Sequence, residues 1–391
     1  MNRRHLLAAI AVTSLGLVAS AGAYAQQTVK IGLILPMTGP FASTGRQIEG
    51  MAKLYMAQNG NMVAGKRVEL IVKDDTGVAD VTKRIAQELV VNEKVSVLAG
   101  FGLTPLALAT APMATQAKVP MIVMAAATSI ITEQSPYIVR TGFTLPQVTA
   151  PLAEWAPKNG IKKVVTLVTD YGPGHDAERA FKEVFVKGGG EVLAELRVPL
   201  QNPEFAPFLQ RAKDAKPDAL FVFVPSGAGS AVMKQFAERD LAKDGIRLIA
   251  TGDVLDDDIL NAMGDVALGV VSSHHYSAAH NSPENKALVE AFKKSNNMRP
   301  NFHGVGGWDG MSLIYQALKK TNGDADGTKL LEAMKGQSWT SPRGPVMIDP
   351  ETRDIVQNVF IRKVEKVNGE LFNVEFATVE KVKDPVKAAK K

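Results

Sequence analysis

The chain has 391 residues, of which 46% are hydrophobic and 22% are charged, and this size predicts two domains with well-filled cores. It contains no cysteine, which excludes disulfides, thiolate nucleophiles and cysteine metal sites. The formal net charge is only +5 and part of the excess lies in a lysine-rich tail at residues 381–391, so nothing indicates a nucleic-acid partner.

The first residues have the three parts of a secretory signal peptide. Arg3 and Arg4 form a basic head, residues 6–18 are uncharged and apolar, and Ala23 and Ala25 mark a small-residue cleavage site. We therefore expect a signal peptide over residues 1–25 and a periplasmic mature protein. The apolar run falls short of the roughly 20 residues that span a bilayer. The paired arginines leave twin-arginine export open as the less favoured route.

Apolar strands and helices alternate along the rest of the chain. A first series of strands is predicted at residues 28–35, 67–72, 95–101 and 119–125. A second series is predicted at residues 163–169, 192–198, 219–224 and 247–251. Continuous apolar strands separated by helices are typical of parallel sheets covered on both faces. The sequence thus predicts two doubly wound α/β lobes with a cleft between them, followed by a helical block at residues 284–336 and a strand-rich end at residues 346–379.

Two neighbouring strands of the first series end in small residues and a threonine. Thr104 precedes Pro105, and Thr128 precedes Ser129, so each threonine is expected to cap the start of a helix. Helix starts expose N–H groups and carry a partial positive charge. Side by side at the carboxyl edge of a sheet, they predict a receptor for a small anion.

The second lobe offers a carboxylate and a phenol for the opposite side of the cleft. Asp253 follows the strand at residues 247–251, and Tyr171 follows the strand at residues 163–169. Asp253 could instead cap the next helix together with the aspartates at 256–258. Tyr171 could equally be a residue of the cleft rim.

Sequence motifs for catalysis, nucleotides and metals are weak or broken. Residues 60–66 have the spacing of a phosphate-binding loop, but Arg67 stands where Ser or Thr belongs. His274 and His275 are adjacent on a predicted strand, so their side chains should point to opposite faces and not chelate one metal. Neither a Gly-x-Ser-x-Gly nor a His-Glu-x-x-His motif occurs. We expect no catalytic residues, no cofactor and no metal.

The chain resembles the extracytoplasmic solute-binding proteins of ABC transporters, of the branched-chain amino acid type. The motifs that carry the resemblance span the chain, at residues 31–40, 68–75, 118–122, 170–174 and 304–318. The resemblance implies a type I periplasmic binding protein fold, in which three crossings join two lobes. Lobe 1 is expected at residues 28–143 plus 276–340, and lobe 2 at residues 144–275 plus 341–391.

The resemblance also assigns site residues. It implies that Thr104, Ala126 and Thr128 hold an amino acid's carboxylate, that Tyr171 covers the ligand, and that Asp253 receives its ammonium group. The chain departs from the family where a second aromatic residue is usual, because Ser226 and Gly227 stand there. A larger and more aromatic pocket could then form from Phe101 and Tyr171, with His303 or Trp308, although the last two read more simply as core residues.

The resulting prediction is a monomeric binding protein that closes on a branched-chain or related amino acid and delivers it to a membrane permease. An aromatic or other organic acid, or an amide, is the alternative ligand. A soluble sensor partner and an exported enzyme are the alternative classes of function.

Overall fold

The computed structural model describes residues 28–390, and the predicted signal peptide lies outside them. A six-stranded sheet has the order β2-β3-β1-β4-β5-β6 and is parallel except for the β2-β3 pair. Its strands are β1 Thr28–Leu35, β2 Met62–Val63, β3 Lys66–Asp74, β4 Val97–Gly100, β5 Met121–Val123 and β6 Ile138–Arg140.

A nine-stranded sheet forms the second half of the structure. Its order is β12-β13-β14-β11-β10-β9-β7-β8, with β15 on β14. Strands β7 to β11 pair in parallel and β12 to β15 pair antiparallel. The strands are β7 Lys163–Thr169, β8 Glu191–Val198, β9 Ala219–Phe223, β10 Arg247–Thr251, β11 Val271–His274, β12 Ser338–Ser341, β13 Gly344–Ile348, β14 Ile355–Val367 and β15 Glu370–Val382.

Helices cover both sheets. They are α1 Ala42–Asn59, α2 Ala79–Val91, α3 Thr104–Ala117, α4 Leu145–Lys158, α5 Gly172–Lys187, α6 Ala206–Asp214, α7 Gly229–Glu238, α8 Leu260–Met263, α9 Pro283–Asn296, α10 Phe302–Lys320, α11 Gly327–Met334 and α12 Pro385–Ala388, with 3₁₀ turns at Ser129–Glu133 and Gly264–Ala267. None of the helices within residues 28–390 has the length and apolar character needed to cross a membrane.

Burial explains why the strands are apolar throughout. Ile31 and Leu33 belong to a core cluster on one face of the first sheet, and Ile34 belongs to a cluster on the other. Val164 and Val165 are divided in the same way between the two faces of the second sheet. Each parallel strand is therefore buried on both sides, as the predicted two doubly wound lobes require.

Three connections pass between the sheets, at residues 141–144, 275–282 and 335–337. The lobe boundaries expected at residues 143, 275 and 340 stay a prediction, although β12 at Ser338–Ser341 already pairs in the second sheet.

Gly100 shows how tightly the strand ends are packed. Its φ is +109°, and a Cβ there would overlap the carbonyl oxygen of Ile34 on the neighbouring strand. Gly100→Ala should lower the free energy of unfolding by about 3 kcal/mol or more, because backbone strain adds to the overlap. Gly65→Ala is the matched control, since Gly65 also has a positive φ of +76° but meets no described atom within 4 Å. Chemical denaturation should show a loss of only about 1–2 kcal/mol for the control. Equal losses in both variants would contradict this account.

Candidate functional site

The carboxyl ends of five parallel strands meet at one cavity between the lobes. Thr104 and Ala126 follow β4 and β5 of the first sheet, and Tyr171, Ser226 and Asp253 follow β7, β9 and β10 of the second. All five residues line this cavity, which holds about 360 Å³ of space free of atoms. The strand order places the cavity where both sheets reverse their winding direction, the usual position for ligands in such sheets.

Thr128 is not a wall residue of the cavity, but its hydroxyl group is hydrogen-bonded to that of Thr104, which is a wall residue. The two buried hydroxyl oxygens lie 2.7 Å apart. The expected capping role of Thr104 was wrong, because α3 begins at Thr104 itself, whereas Thr128 does precede the 3₁₀ turn at Ser129–Glu133 but its side chain makes no capping hydrogen bond. The two hydroxyl groups face each other instead. One hydroxyl donates to the other, which leaves one proton available to a ligand.

The lobes are closed on each other at this point. A Cβ on Gly172, the first residue of α5, would lie 2.8 Å from Thr128 Oγ1. Nearby, the Ser129 N–H donates to Asp176 Oδ2 over 2.8 Å. Because the first sheet carries Thr128 and the second carries α5, these contacts join the two halves of the molecule.

Aspartates after β10 form further contacts across the cleft. Asn301 donates to Asp256 Oδ2 over 3.0 Å, and Ser43 donates to Asp258. Because α8 begins after Ile259 with no side-chain cap among the described residues, the expectation that these aspartates cap the helix was wrong. They bind the opposite lobe instead. Asp253 differs from them, since it lines the cavity.

Three predicted site residues contribute differently from what their positions suggested. Phe101 is fully buried in the core of the first lobe and is absent from the cavity wall. The Ala126 N–H donates to the carbonyl of Phe101 over 2.9 Å, so the group that Ala126 leaves for a ligand is its carbonyl oxygen, an acceptor. The hydroxyl of Ser226 donates to Asp256 over 2.8 Å.

The walls between the two ends of the cavity are apolar and largely aromatic. The Tyr171 and Phe223 rings stack with their centroids 6.2 Å apart. Burial and the nearby Asp253 raise the pKa of Tyr171, which keeps the phenol neutral. The sequence analysis missed the other wall residues, which are Phe41, Thr44, Gly102, Leu103, Ala125, Ala127, Phe143, Leu145, Pro173, Phe223 and Pro225. Most of them lie in loops and crossings, where no periodic pattern indicates which side chains turn inward.

A group of imidazoles lies behind the carboxylate of Asp253. His274 Nε2 is 3.6 Å from Asp253 Oδ2, which is longer than a hydrogen bond. The His274 ring packs between Phe302 and Phe143, with centroid distances of 4.0 and 4.6 Å. His303, which the sequence left open as a pocket or a core residue, lines the cavity, whereas Trp308 packs against the core. Within residues 28–390, no three His, Cys, Asp or Glu side chains are grouped as a metal site.

The buried state of His274 predicts a pH dependence of stability. Burial lowers its pKa to about 4 despite the opposing effect of Asp253, whereas an unfolded histidine titrates near 6.5. Between these values the unfolded chain binds more protons, so the contribution of His274 to stability is lost as the pH falls from about 6.5 towards 4. The loss is at most about 1.4 kcal/mol per pH unit.

His274→Phe keeps the ring packing and cannot titrate. We expect the free energy of unfolding of this variant to fall less steeply than that of the parent between pH 7 and pH 4. The two slopes should differ by up to about 1.4 kcal/mol per pH unit, as measured by urea denaturation. All other titrating groups are common to both proteins, so the difference reports on His274. Parallel pH profiles would show that this imidazole does not control the acid sensitivity.

Comparison with known proteins identifies the architecture. Residues 28–369 match the family model for periplasmic binding proteins. The chain is 45% identical over 388 residues to the Leu/Ile/Val-binding protein homolog 6 of Brucella abortus (strain 2308), covering 98% of both proteins.

Solved structures agree with this match. The chain is 65% identical to a solute-binding protein of an ABC transporter from Rhodopseudomonas palustris BisB5, in complex with 3,4-dihydroxybenzoic acid, with a TM-score of 0.91 over 92% of this chain and 99% of that one. It is 43% identical to a second such protein, from Rhodopseudomonas palustris HaA2 in complex with p-hydroxybenzoic acid, with a TM-score of 0.90 over 93% and 100% of the two chains. The predicted type I fold is thus confirmed, and the chain belongs to the periplasmic binding protein family as a solute-binding protein of an ABC transporter, not an enzyme.

Proposed function

We propose that this protein captures a small aromatic carboxylic acid by closing its lobes around it, and presents the closed complex to the permease of an ABC importer. The observation that carries the proposal is one cavity between the lobes that is lined by the Thr104 hydroxyl, by aromatic rings, and by the buried carboxylate of Asp253 and imidazole of His303. The chemistry of each part favours this ligand class.

The threonine pair suits a carboxylate. A hydroxyl that donates to an ionised oxygen forms a charge-assisted bond worth about 1.5–3 kcal/mol. Thr104 is also the first residue of α3, a 14-residue helix whose positive end faces the same place. The two hydroxyls and this helix start together offer a carboxylate a site with no positively charged side chain.

The walls suit an aromatic ring. Tyr171, Phe223 and Phe143 surround the centre of the cavity, and flat rings pack on such surfaces by stacking or edge contacts. The structural relatives described above are complexes with hydroxybenzoic acids, which supports the same ligand class here. The curated relative is named for leucine, isoleucine and valine, so a branched-chain amino acid is the competing ligand.

The remaining assignments follow from the family. A protein of this role acts in the periplasm, and the signal-like residues 1–25 support export by cleavage after Ala25. We propose that it acts as a monomer, since each lobe supplies half of the site within one chain. A soluble partner of a sensor could share the binding step. Loss of uptake of the ligand in a deletion strain would distinguish import from sensing.

Isothermal titration of the purified mature chain with benzoate and with leucine tests the ligand class. We expect benzoate to bind and leucine to bind at least about tenfold more weakly, since a flat ring packs on the aromatic walls of the cavity better than a branched aliphatic side chain does. Tighter binding of leucine would overturn the aromatic assignment and restore the amino acid. Turnover of either compound would contradict the binding role itself.

Thr128→Val should weaken binding of benzoate by about 10- to 100-fold, because valine keeps the shape and removes a hydroxyl worth about 1.5–3 kcal/mol to a carboxylate. Thr128→Ser keeps the hydroxyl and should lose much less. Thr110→Val is the matched control: Thr110 is buried on the same helix as Thr104, but its hydroxyl donates to the Leu106 carbonyl over 3.1 Å, away from the cavity. Calorimetry should give the control the affinity of the parent. Equal losses at positions 110 and 128 would mean that helix packing, not ligand contact, is responsible.

Gly172→Ala should weaken binding of benzoate by about tenfold or more, because its Cβ would contact Thr128 Oγ1 at 2.8 Å and hold the lobes apart. The unliganded protein should melt at the parent temperature or slightly above it, since alanine favours a helix more than glycine does. Titration calorimetry and thermal melting of the same preparation separate the two effects. Unchanged affinity would show that the lobes need not approach this closely.

A further inference from the structure

Two polar atoms at the cavity have no partner within residues 28–390. They are Asp253 Oδ2 and His303 Nδ1, on side chains from opposite lobes that are 4% and 5% exposed. Buried polar atoms in folded proteins are nearly always hydrogen-bonded, and leaving one unpaired costs about 1–3 kcal/mol. His274 Nε2 lies 3.6 Å from Asp253 Oδ2, beyond hydrogen-bond distance, and both Asp253 and His303 line the cavity, where a ligand can pair with them.

We propose that Asp253 and His303 form a subsite for a hydroxyl group on the ligand, and that His303 determines a preference for ring-hydroxylated aromatic acids over unsubstituted ones. The inference rests on the proposed function, because it assigns the far end of the same aromatic ligand.

The chemistry of the pair fits a hydroxyl. An ionised carboxylate only accepts hydrogen bonds, whereas a neutral imidazole has one nitrogen that donates and one that accepts. Burial lowers the pKa of His303 to about 3, with Asp253 opposing the shift, so the ring is neutral at physiological pH. A hydroxyl both donates and accepts, and it can therefore satisfy Asp253 and His303 together.

The position of Asp253 separates a ring hydroxyl from an α-ammonium group. Thr128 faces Gly172, which follows β7, whereas Asp253 follows β10, and β9 lies between these strands. Two strand spacings amount to roughly 10 Å. In a para-substituted benzoate the carboxylate and hydroxyl are roughly 6 Å apart, and a hydrogen bond of about 2.8 Å at each end covers that span. An α-ammonium group lies only about 3 Å from its own carboxylate, so the same two hydrogen bonds cover about 8–9 Å, roughly 3 Å less than the hydroxybenzoate covers.

The surroundings hold His303 in place. It is in the first turn of α10, whose cap Asn301 accepts from the Gly304 N–H over 3.1 Å. Its ring lies 4.1 Å from the Phe302 ring, and Phe302 in turn packs against His274. A side chain fixed in this way before binding loses little entropy when a ligand arrives, which favours discrimination between similar ligands.

Titration calorimetry with benzoate and 4-hydroxybenzoate tests the proposal. In the parent, 4-hydroxybenzoate should bind about tenfold or more tightly than benzoate. His303→Phe keeps a ring and removes both nitrogens, so the ratio should fall to about threefold or less, mainly through weaker binding of 4-hydroxybenzoate. His303→Asn places an amide near the position of Nδ1 and should restore part of the preference.

His275→Phe is the matched control, because His275 is equally buried but does not line the cavity. It should leave the ratio of the two affinities unchanged. Thermal melting without ligand establishes that each variant is folded. If His303→Phe does not fold, Asp253→Asn provides the test. The preference for 4-hydroxybenzoate over benzoate must then be smaller in Asp253→Asn than in the parent.

The outcomes separate the two proposals. If neither aromatic acid binds, the proposed function fails. If the parent binds benzoate and 4-hydroxybenzoate equally well, or if His303→Phe lowers both affinities by the same factor, the proposed hydroxyl subsite is wrong. The assignment of an aromatic acid as the ligand then still stands.

Discussion

The site depends on one steric condition: the backbone of the second lobe must come into contact distance of the first lobe. Gly172 allows this at Thr128, and Gly227, with φ of +103°, allows it at Pro40, whose carbonyl oxygen would lie 2.7 Å from a Cβ. Bare Cα atoms at both places let the lobes meet around the cavity, whose polar side chains are buried. Hydrogen bonds and charges among buried groups act at a low effective dielectric constant and therefore more strongly.

Buried charged side chains connect the crossing at residues 141–144 to this site. Arg140 donates to the Thr128 carbonyl over 2.8 Å and lies 3.1 Å from Asp354, which also pairs with Lys387 of α12. On the other side of the crossing, Arg343 donates to the Thr141 carbonyl over 2.6 Å. Removing one member of such a group leaves an uncompensated buried charge, which is strongly destabilising. Arg343 thus holds the backbone at the start of the crossing at residues 141–144. Arg140 connects the same crossing to the backbone of Thr128.

The predictable part of the molecule is the part encoded by local pattern. Strands such as β1 and β7 match their predicted bounds because long apolar runs specify a strand buried on both faces. The short strands β2 and β6 were not predicted, since two or three residues carry no period. Thr104, Tyr171 and Asp253 could be placed at the cavity because parallel strands bring their carboxyl ends together. Phe101 could not be excluded, and the aspartates near 256 could not be assigned, because both depend on how distant segments pack.

In the proposed mechanism, lobe closure and ligand binding are coupled through the buried polar groups of the cavity. A ligand shifts an equilibrium only as far as its affinities for the two states differ, and moving a population from 1:99 to 99:1 takes about 5.5 kcal/mol. Asp253 Oδ2 and His303 Nδ1 are buried atoms of cavity-lining residues with no hydrogen-bond partner among residues 28–390, and pairing such an atom is worth about 1–3 kcal/mol. On the proposed function, a ligand that pairs both atoms and also binds the threonines gains these contributions only when both lobes contact it. Together they are of the size required to favour the closed state.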